Sequence, residues 1–263
     1  MKFKFLIAII TTFSLFSCTS ENENSVETDT NYLPLAISNY WKYSIETNGA
    51  AQTDSLYISN DTLISGKTYK KFKTRNLPAG FYSSSLNKNS VRRSGASLLL
   101  TGTLALDFGV GIPINLDLND FVIFKENATD NQQLGILSGT INQTVGTYPL
   151  VIEYILTTTE METLPTYTSN NQVYTDVKRV KTVLNAKITT NILVGGVQYA
   201  ASILSPQNVV VSNQYYAKNI GMVYTNTIIN YQLNQLPGGT TLPIPSSGNQ
   251  TQNEYLGVYN VSH

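Results

Sequence analysis

Histidine and cysteine carry much of the nucleophilic, metal-binding and acid–base chemistry of proteins. This chain of 263 residues has one of each. The histidine is His263, the last residue, and chain ends are poorly held. Ser-His-Asp, Cys-His and His-ligated metal sites therefore lack an imidazole where a fold could orient it. The cysteine is Cys18. A single thiol makes no intrachain disulfide, no CxxC redox pair and no cysteine zinc cluster. On these counts neither a metal nor a cofactor is expected.

Carboxylates remain as candidate acids and bases. They run from Glu46 to Glu254 beyond an acidic N-terminal stretch. A glycosidase needs two of them facing each other roughly 5–9.5 Å apart, and no pair has a local context that implies this. Asp117, Asp120, Glu126 and Asp130 lack the fixed offsets of a calcium loop, so Asp117 and Asp120 read as flanking a turn. The sequence has no Gly-x-Ser-x-Gly elbow and no P-loop, and Gly109-Val110-Gly111 lacks the third glycine of a dinucleotide fingerprint. Arg92-Arg93 reads as a solvated strand end. Basic and acidic residues balance at 17 each and only 13% of the chain is charged, which gives no nucleic-acid footprint. The expectation is a non-enzymatic binding or structural component.

The elements that would position such a component begin with an address. Met1-Lys2-Phe3-Lys4 is basic, and Phe5 to Phe16 is apolar but for Thr11, Thr12 and Ser14. That is too short to span a bilayer and suits a secretory signal. Leu15-Phe16-Ser17-Cys18 resembles the cleavage box of bacterial lipoproteins. The resemblance implies that residues 1–17 are removed and that Cys18 is acylated, with palmitate-type chains tethering the protein to the outer membrane. Cutting there removes Lys2 and Lys4, so 15 basic side chains face 17 acidic ones and the formal charge becomes −2. The lipid, rather than basic attraction, is then the membrane tether. Residues 18–31 are polar and acidic and read as a disordered spacer. Ser20-Glu21 and Glu23 loosely resemble the surface-export signal of Bacteroidota lipoproteins, so both leaflets of the outer membrane stay open.

From residue 32 to 263 the patterning is that of one all-β domain. The spacing predicts a single antiparallel sheet, curved or half-open, sandwiched or barrel-like. Leu104, Leu106, Phe108, Val110, Ile112, Ile114, Leu116 and Leu118 alternate with small or polar residues, the mark of a half-buried extended segment. Glycines and Pro113 within it place a bulge, bend or edge strand there. Trp41, Tyr43 and Ile45 form a second stripe, and Val223, Thr225, Thr227, Ile229 and Tyr231 a third. Val173, Val177, Val180 and Leu184 fall at helical spacing, yet valine and threonine content favours a strand. Turns are expected at Asn48-Gly49, Ser65-Gly66, Pro78-Ala79-Gly80, Gly195-Gly196 and Pro237-Gly238-Gly239. Gly66 to Lys73 echoes Asn171 to Lys178, through either duplication or chance in a Tyr/Lys/Thr-rich chain.

Two segments are familiar. Tyr32-Leu33-Pro34-Leu35 followed by Asn39-Tyr40-Trp41-Lys42-Tyr43 resembles the start of uncharacterised Bacteroidota, flavobacterial-like, outer-membrane lipoproteins. Tyr215 to Val223 is similar to a segment near their C-termini. The resemblance implies an envelope address and a β-rich fold, and carries over no catalytic residue. The partners left open are a protein, a lipid or a glycan. A lipid carrier would use the stripe at Leu104, Leu106, Phe108, Val110 and Ile112 to line a cavity; a carbohydrate binder would present exposed, coplanar tyrosines.

Overall fold

The computed structural model describes residues 31–107, 113–194, 196–236 and 244–263. Leu15, Phe16, Ser17 and Cys18 of the cleavage box, Phe108, Val110 and Ile112 of the stripe, and the Pro237–Gly239 turn lie outside the described residues.

Among the described residues the chain forms twelve strands and one short helix. These are β1 (Tyr40–Thr47), β2 (Ala50–Ile64), β3 (Lys67–Thr74), α1 (Phe81–Leu86), β4 (Ser90–Ser94), β5 (Ser97–Asp107) and β6 (Pro113–Lys125). They continue as β7 (Gln133–Val145), β8 (Tyr148–Ser169), β9 (Gln172–Val194), β10 (Val197–Ala217), β11 (Gly221–Gln232) and β12 (Ser247–Asn260). All belong to one antiparallel sheet of order β6-β5-β4-β3-β2-β1-β12-β11-β10-β9-β8-β7. Strands adjacent in sequence pair with each other except β6 and β7, and β1 pairs with β12. The result is an up-and-down meander nearly closed into a barrel, with its one seam between β6 and β7.

Period-2 alternation sets the wall. Trp41, Tyr43 and Ile45 point in and are buried, while Lys42, Ser44 and Glu46 between them are exposed. The stretch with helical spacing is strand β9, and its Val177, Val180 and Leu184 are core. Two-residue turns at Asn48-Gly49 (φ 48° and 87°) and Ser65-Gly66 (φ 48° and 77°) match the primed geometry that right-twisted hairpins require. Asn170-Asn171, with φ 48° and 62°, makes the same turn. The sequence echo falls on the strands that follow two of these turns, and Tyr69 and Tyr174, each third after its turn, are both buried.

Three expectations are corrected. Leu104 to Leu118 is two strands rather than one: β5 and β6 pair antiparallel, with Leu104 opposite Leu116 and Leu106 opposite Ile114. Both limbs turn their leucines inward, so one long stripe and a hairpin give the same alternation. Asp117 and Asp120 lie within β6, where the register slips and Asp120 takes φ 51°. A carboxylate at that bulge accepts from Arg92 at Nε (2.8 Å) and Nη2 (2.7 Å), from Lys67 (2.7 Å) and from the Tyr69 hydroxyl (2.6 Å). Arg92-Arg93 is thus not a solvated end, since Arg93 also pairs with Glu126 and donates to Asn31.

The two segments singled out by resemblance pack on each other. The Trp41 indole donates to the Ile220 carbonyl at 2.6 Å, and the Tyr43 hydroxyl to that of Met222 at 3.1 Å. Asn39 donates to Pro34, and the Asn219 amide donates to Asn31. Gly221, at φ 115°, lets the chain pass against the Trp41 ring. Their residue types are accounted for by packing and turn geometry.

Candidate functional site

The helix α1 organises the interior. It is the β3–β4 connection, with Tyr82, Ser83 and Leu86 buried. Its first residues are received by three side chains from β2 and β12. Asp54 accepts from the Ala79 and Gly80 amides at 2.9 and 2.8 Å. Gln252 accepts from the Phe81 amide at 2.5 Å and donates to the Ala79 carbonyl at 2.8 Å. Glu254 accepts from the Tyr82 amide at 2.6 Å and from the Ser83 amide and hydroxyl at 3.4 and 3.3 Å. Five successive amides of residues 79–83 are so satisfied, as a buried helix start requires.

Asp54 and Glu254 are, among the described residues, the carboxylate pair that the fold brings to the start of α1, and both face the helix. Asp54 is 4% exposed and Glu254 is fully buried. Burial, with Asp54 adding to it, pushes the Glu254 carboxyl up to about 8. A perturbed carboxyl can mark a reactive site; here its oxygens accept from the first residues of α1. The arrangement caps a helix.

A chain of rings runs through the barrel from the N-terminal segment to α1. Tyr32 lies 5.1 Å from Phe124, Phe124 4.9 Å from Tyr216, Tyr216 6.1 Å from Tyr82, and Tyr82 6.1 Å from Tyr43. Beside α1 these rings leave a cleft of about 30 Å³, walled by Tyr82, Leu104, Leu118, Leu156 and Tyr216. That holds a water or two, far below the several hundred Å³ of a small-molecule pocket. Leu104 of the expected stripe reaches this cleft; Leu106 is buried in the wall nearby.

The cleft has a polar side that single stripes did not reveal. Gln252, Thr227, Ser212, Thr182 and Thr158 stand opposite one another on five consecutive strands, all facing in. Ser212 hydrogen-bonds Thr227 at 2.8 Å and Thr225 at 3.1 Å. Tyr216 donates to Gln214, whose amide reaches Thr182 at 3.4 Å. The stripe on β11 did signal Thr225 and Thr227 as inward-facing; the belt they join needed the cross-strand register.

Two further clusters bear on binding. Two residues beyond Thr158 on β8, Glu160 is fully buried beside Lys178 at 3.4 Å, and burial raises its carboxyl to about 7. On the outer wall, Tyr167, Tyr215, Tyr224 and Tyr255 form a ladder, with centroids 4.2, 5.6 and 5.1 Å apart in that order. These are the tyrosines a glycan would seek, but each ring is half-buried and leans on its neighbour, so the faces are largely covered.

Fold and interior together define a nearly closed up-and-down β-barrel with an internal helix, its lumen lined by apolar side chains and crossed by a polar belt. No family model, curated protein or solved structure matches the chain.

Proposed function

We propose that this chain is a cell-envelope lipoprotein, anchored to the outer membrane by an acylated Cys18, whose barrel is a non-enzymatic binding or structural component. The observation that carries the reading is the polarity of the wall. Apolar side chains fill the lumen, while the outside carries Lys42, Ser44, Glu46 and the Lys187–Glu153 and Arg179–Glu162 pairs. A barrel that spans a bilayer has the reverse arrangement, an apolar band outside. This supports reading the attachment in the chain ahead of Asn31, where Cys18 follows a basic and apolar leader.

Fractionation of cells expressing the full chain tests the anchor. The wild type is expected in the membrane fraction and Cys18→Ala in the soluble one; Cys18→Ala retained in membranes would refute the proposal.

A further inference from the structure

We infer that the outer wall over β1–β3 is a docking face for anionic, phosphate-bearing lipid headgroups, and that it turns the barrel onto the bilayer in which the acylated Cys18 sits. Five basic side chains gather there. Lys42 on β1 stands opposite Ser55 on β2, whose carbonyl accepts from the Arg75 amide at 3.1 Å. In the next outward-facing row, Tyr40 and Tyr57 lead to Lys73 on β3. Lys71 follows two residues along, and its ammonium donates to the Lys88 carbonyl. Lys42, Lys73, Arg75 and Lys88 are exposed.

Among the described residues none of the five has an ion-pair partner. No carboxylate stands between them in the ladder. Asp54 points inward to α1, Asp61 pairs with Lys70, and Glu46 lies two outward rows beyond Lys42. On the far wall, by contrast, Lys187 pairs with Glu153 and Arg179 with Glu162. Burial, and then the charge of Lys73, hold the Lys71 ammonium below its usual range. These like charges repel one another, and an anion among them removes that cost.

Charge and position specify the occupant. Asn31 is held at the end of the barrel where β1 starts, its carbonyl accepting from the Asn219 amide and its side chain from Arg93. The thirteen residues from Cys18 to Thr30 reach at most about 45 Å even when fully extended. The basic face lies beside that entry, within reach of the bilayer. Ile37 and Val258, 47% and 56% exposed, flank the bases on the entry loop and on β12, and supply apolar contact at headgroup level. Five bases without an inserted chain bind weakly and let go in salt, so the face orients the barrel and does not anchor it. The inference rests on the acylated-Cys18 reading and deepens it.

The test reconstitutes the acylated full chain into phosphatidylcholine vesicles with or without phosphatidylglycerol, labels lysines with acetic anhydride and reads them by mass spectrometry. Lys42, Lys73 and Lys88 should label at least about fivefold more slowly in the anionic vesicles. Lys181 and Lys187 on β9, five places from β2 in the sheet order, should be unaffected, and about 0.5 M salt should remove the difference. Lys73→Glu with Arg75→Glu should restore labelling of Lys42 and Lys88. Should that pair disturb the β circular dichroism, Lys73→Gln with Arg75→Gln replaces it, with a smaller effect in the same direction. Equal labelling in the two vesicles overturns the inference, and so does equal slowing of Lys181 and Lys187. Slowing in neutral vesicles as well also overturns it, because the chain's own acidic residues ahead of Asn31 would then cover the face. So does slowing by soluble polyphosphate but not by vesicles. Flotation with neutral vesicles reports the acyl anchor alone. A chain that does not float contradicts the anchor, while the labelling ratio, read on chain mixed with each vesicle, still decides the face.

Discussion

The Thr158 hydroxyl donates to the Val122 carbonyl at 2.6 Å, tying β8 directly to β6 across the seam. It can do so because β7 passes between them at Gly135. A Cβ there would stand 2.7 Å from the Val122 oxygen and 2.9 Å from the Thr158 hydroxyl. The barrel is therefore pinned at one point where no backbone ladder closes it. Gly135→Val should force this contact apart and cost about 1–3 kcal/mol, as overpacking does. Thr158→Val should cost about 0.5–1.5 kcal/mol by removing a part-buried hydrogen bond. Urea denaturation measures both; a wild-type midpoint for Gly135→Val would show that the seam is not pinned there.

Stability should fall as pH rises through the neutral range. Glu254 and Glu160 hold their protons up to about 8 and about 7 in the fold, each raised chiefly by burial from a usual value of 4.5. Between those limits the unfolded chain binds fewer protons than the native one, so the native state loses ground with increasing pH and the loss levels off above the folded values. Denaturation midpoints at about pH 5 should exceed those at about pH 9. Glu254→Gln combined with Glu160→Gln should flatten the dependence. A wild-type midpoint that rises over this interval would contradict the assigned burial.

The seating of α1 should tolerate no side chain at Gly80. A Cβ at Gly80 would lie 2.1 Å from Glu254 Oε2, and Glu254 is enclosed on every side. Gly80→Ala should cost about 1–3 kcal/mol. Gly257→Ala is the internal control, because its Cβ would meet only the Lys42 carbonyl at an ordinary 3.5 Å. Thermal melts that fail to separate the two substitutions would remove the tight seat.

Tyr224 sits inside the outer ladder, 5.6 Å from Tyr215, 5.1 Å from Tyr255 and 6.1 Å from Tyr167. Its hydroxyl also donates to Asn253 at 2.9 Å. Tyr224→Ser should lower stability by about 1–2 kcal/mol, from ring pairs worth about 0.5–1.5 kcal/mol each. A glycan array should give no signal that depends on Tyr224, since the ring faces are already covered. A Tyr224-dependent sugar signal with unchanged stability would make the ladder a binding strip instead.

Much of the wall was legible because its information is local. Trp41, Tyr43 and Ile45, or Thr225 and Thr227, show their face through alternation alone, and Asn48-Gly49 specifies its turn within two residues. Other features depend on partners far away in sequence. The helix α1 has three serines in six residues and no capping side chain of its own. Its caps come from Asp54, Gln252 and Glu254, so no local pattern could announce it. Arg92 reads as solvent-exposed until a bulge 28 residues later aims Asp120 at it. The β5–β6 hairpin escaped notice because its two limbs keep one unbroken alternation, and closure of the meander rests on a β1–β12 register that joins the two ends of the domain.

Among the described residues, apolar side chains crowd the lumen around α1 and the cleft beside it holds about 30 Å³, too little for a lipid chain. Native mass spectrometry of the Cys18→Ala chain, purified from cells that supply envelope lipids, tests it most directly. The expected mass is that of the polypeptide alone; a stoichiometric adduct of lipid mass that survives delipidation-free purification would mean that the lumen opens to hold lipid.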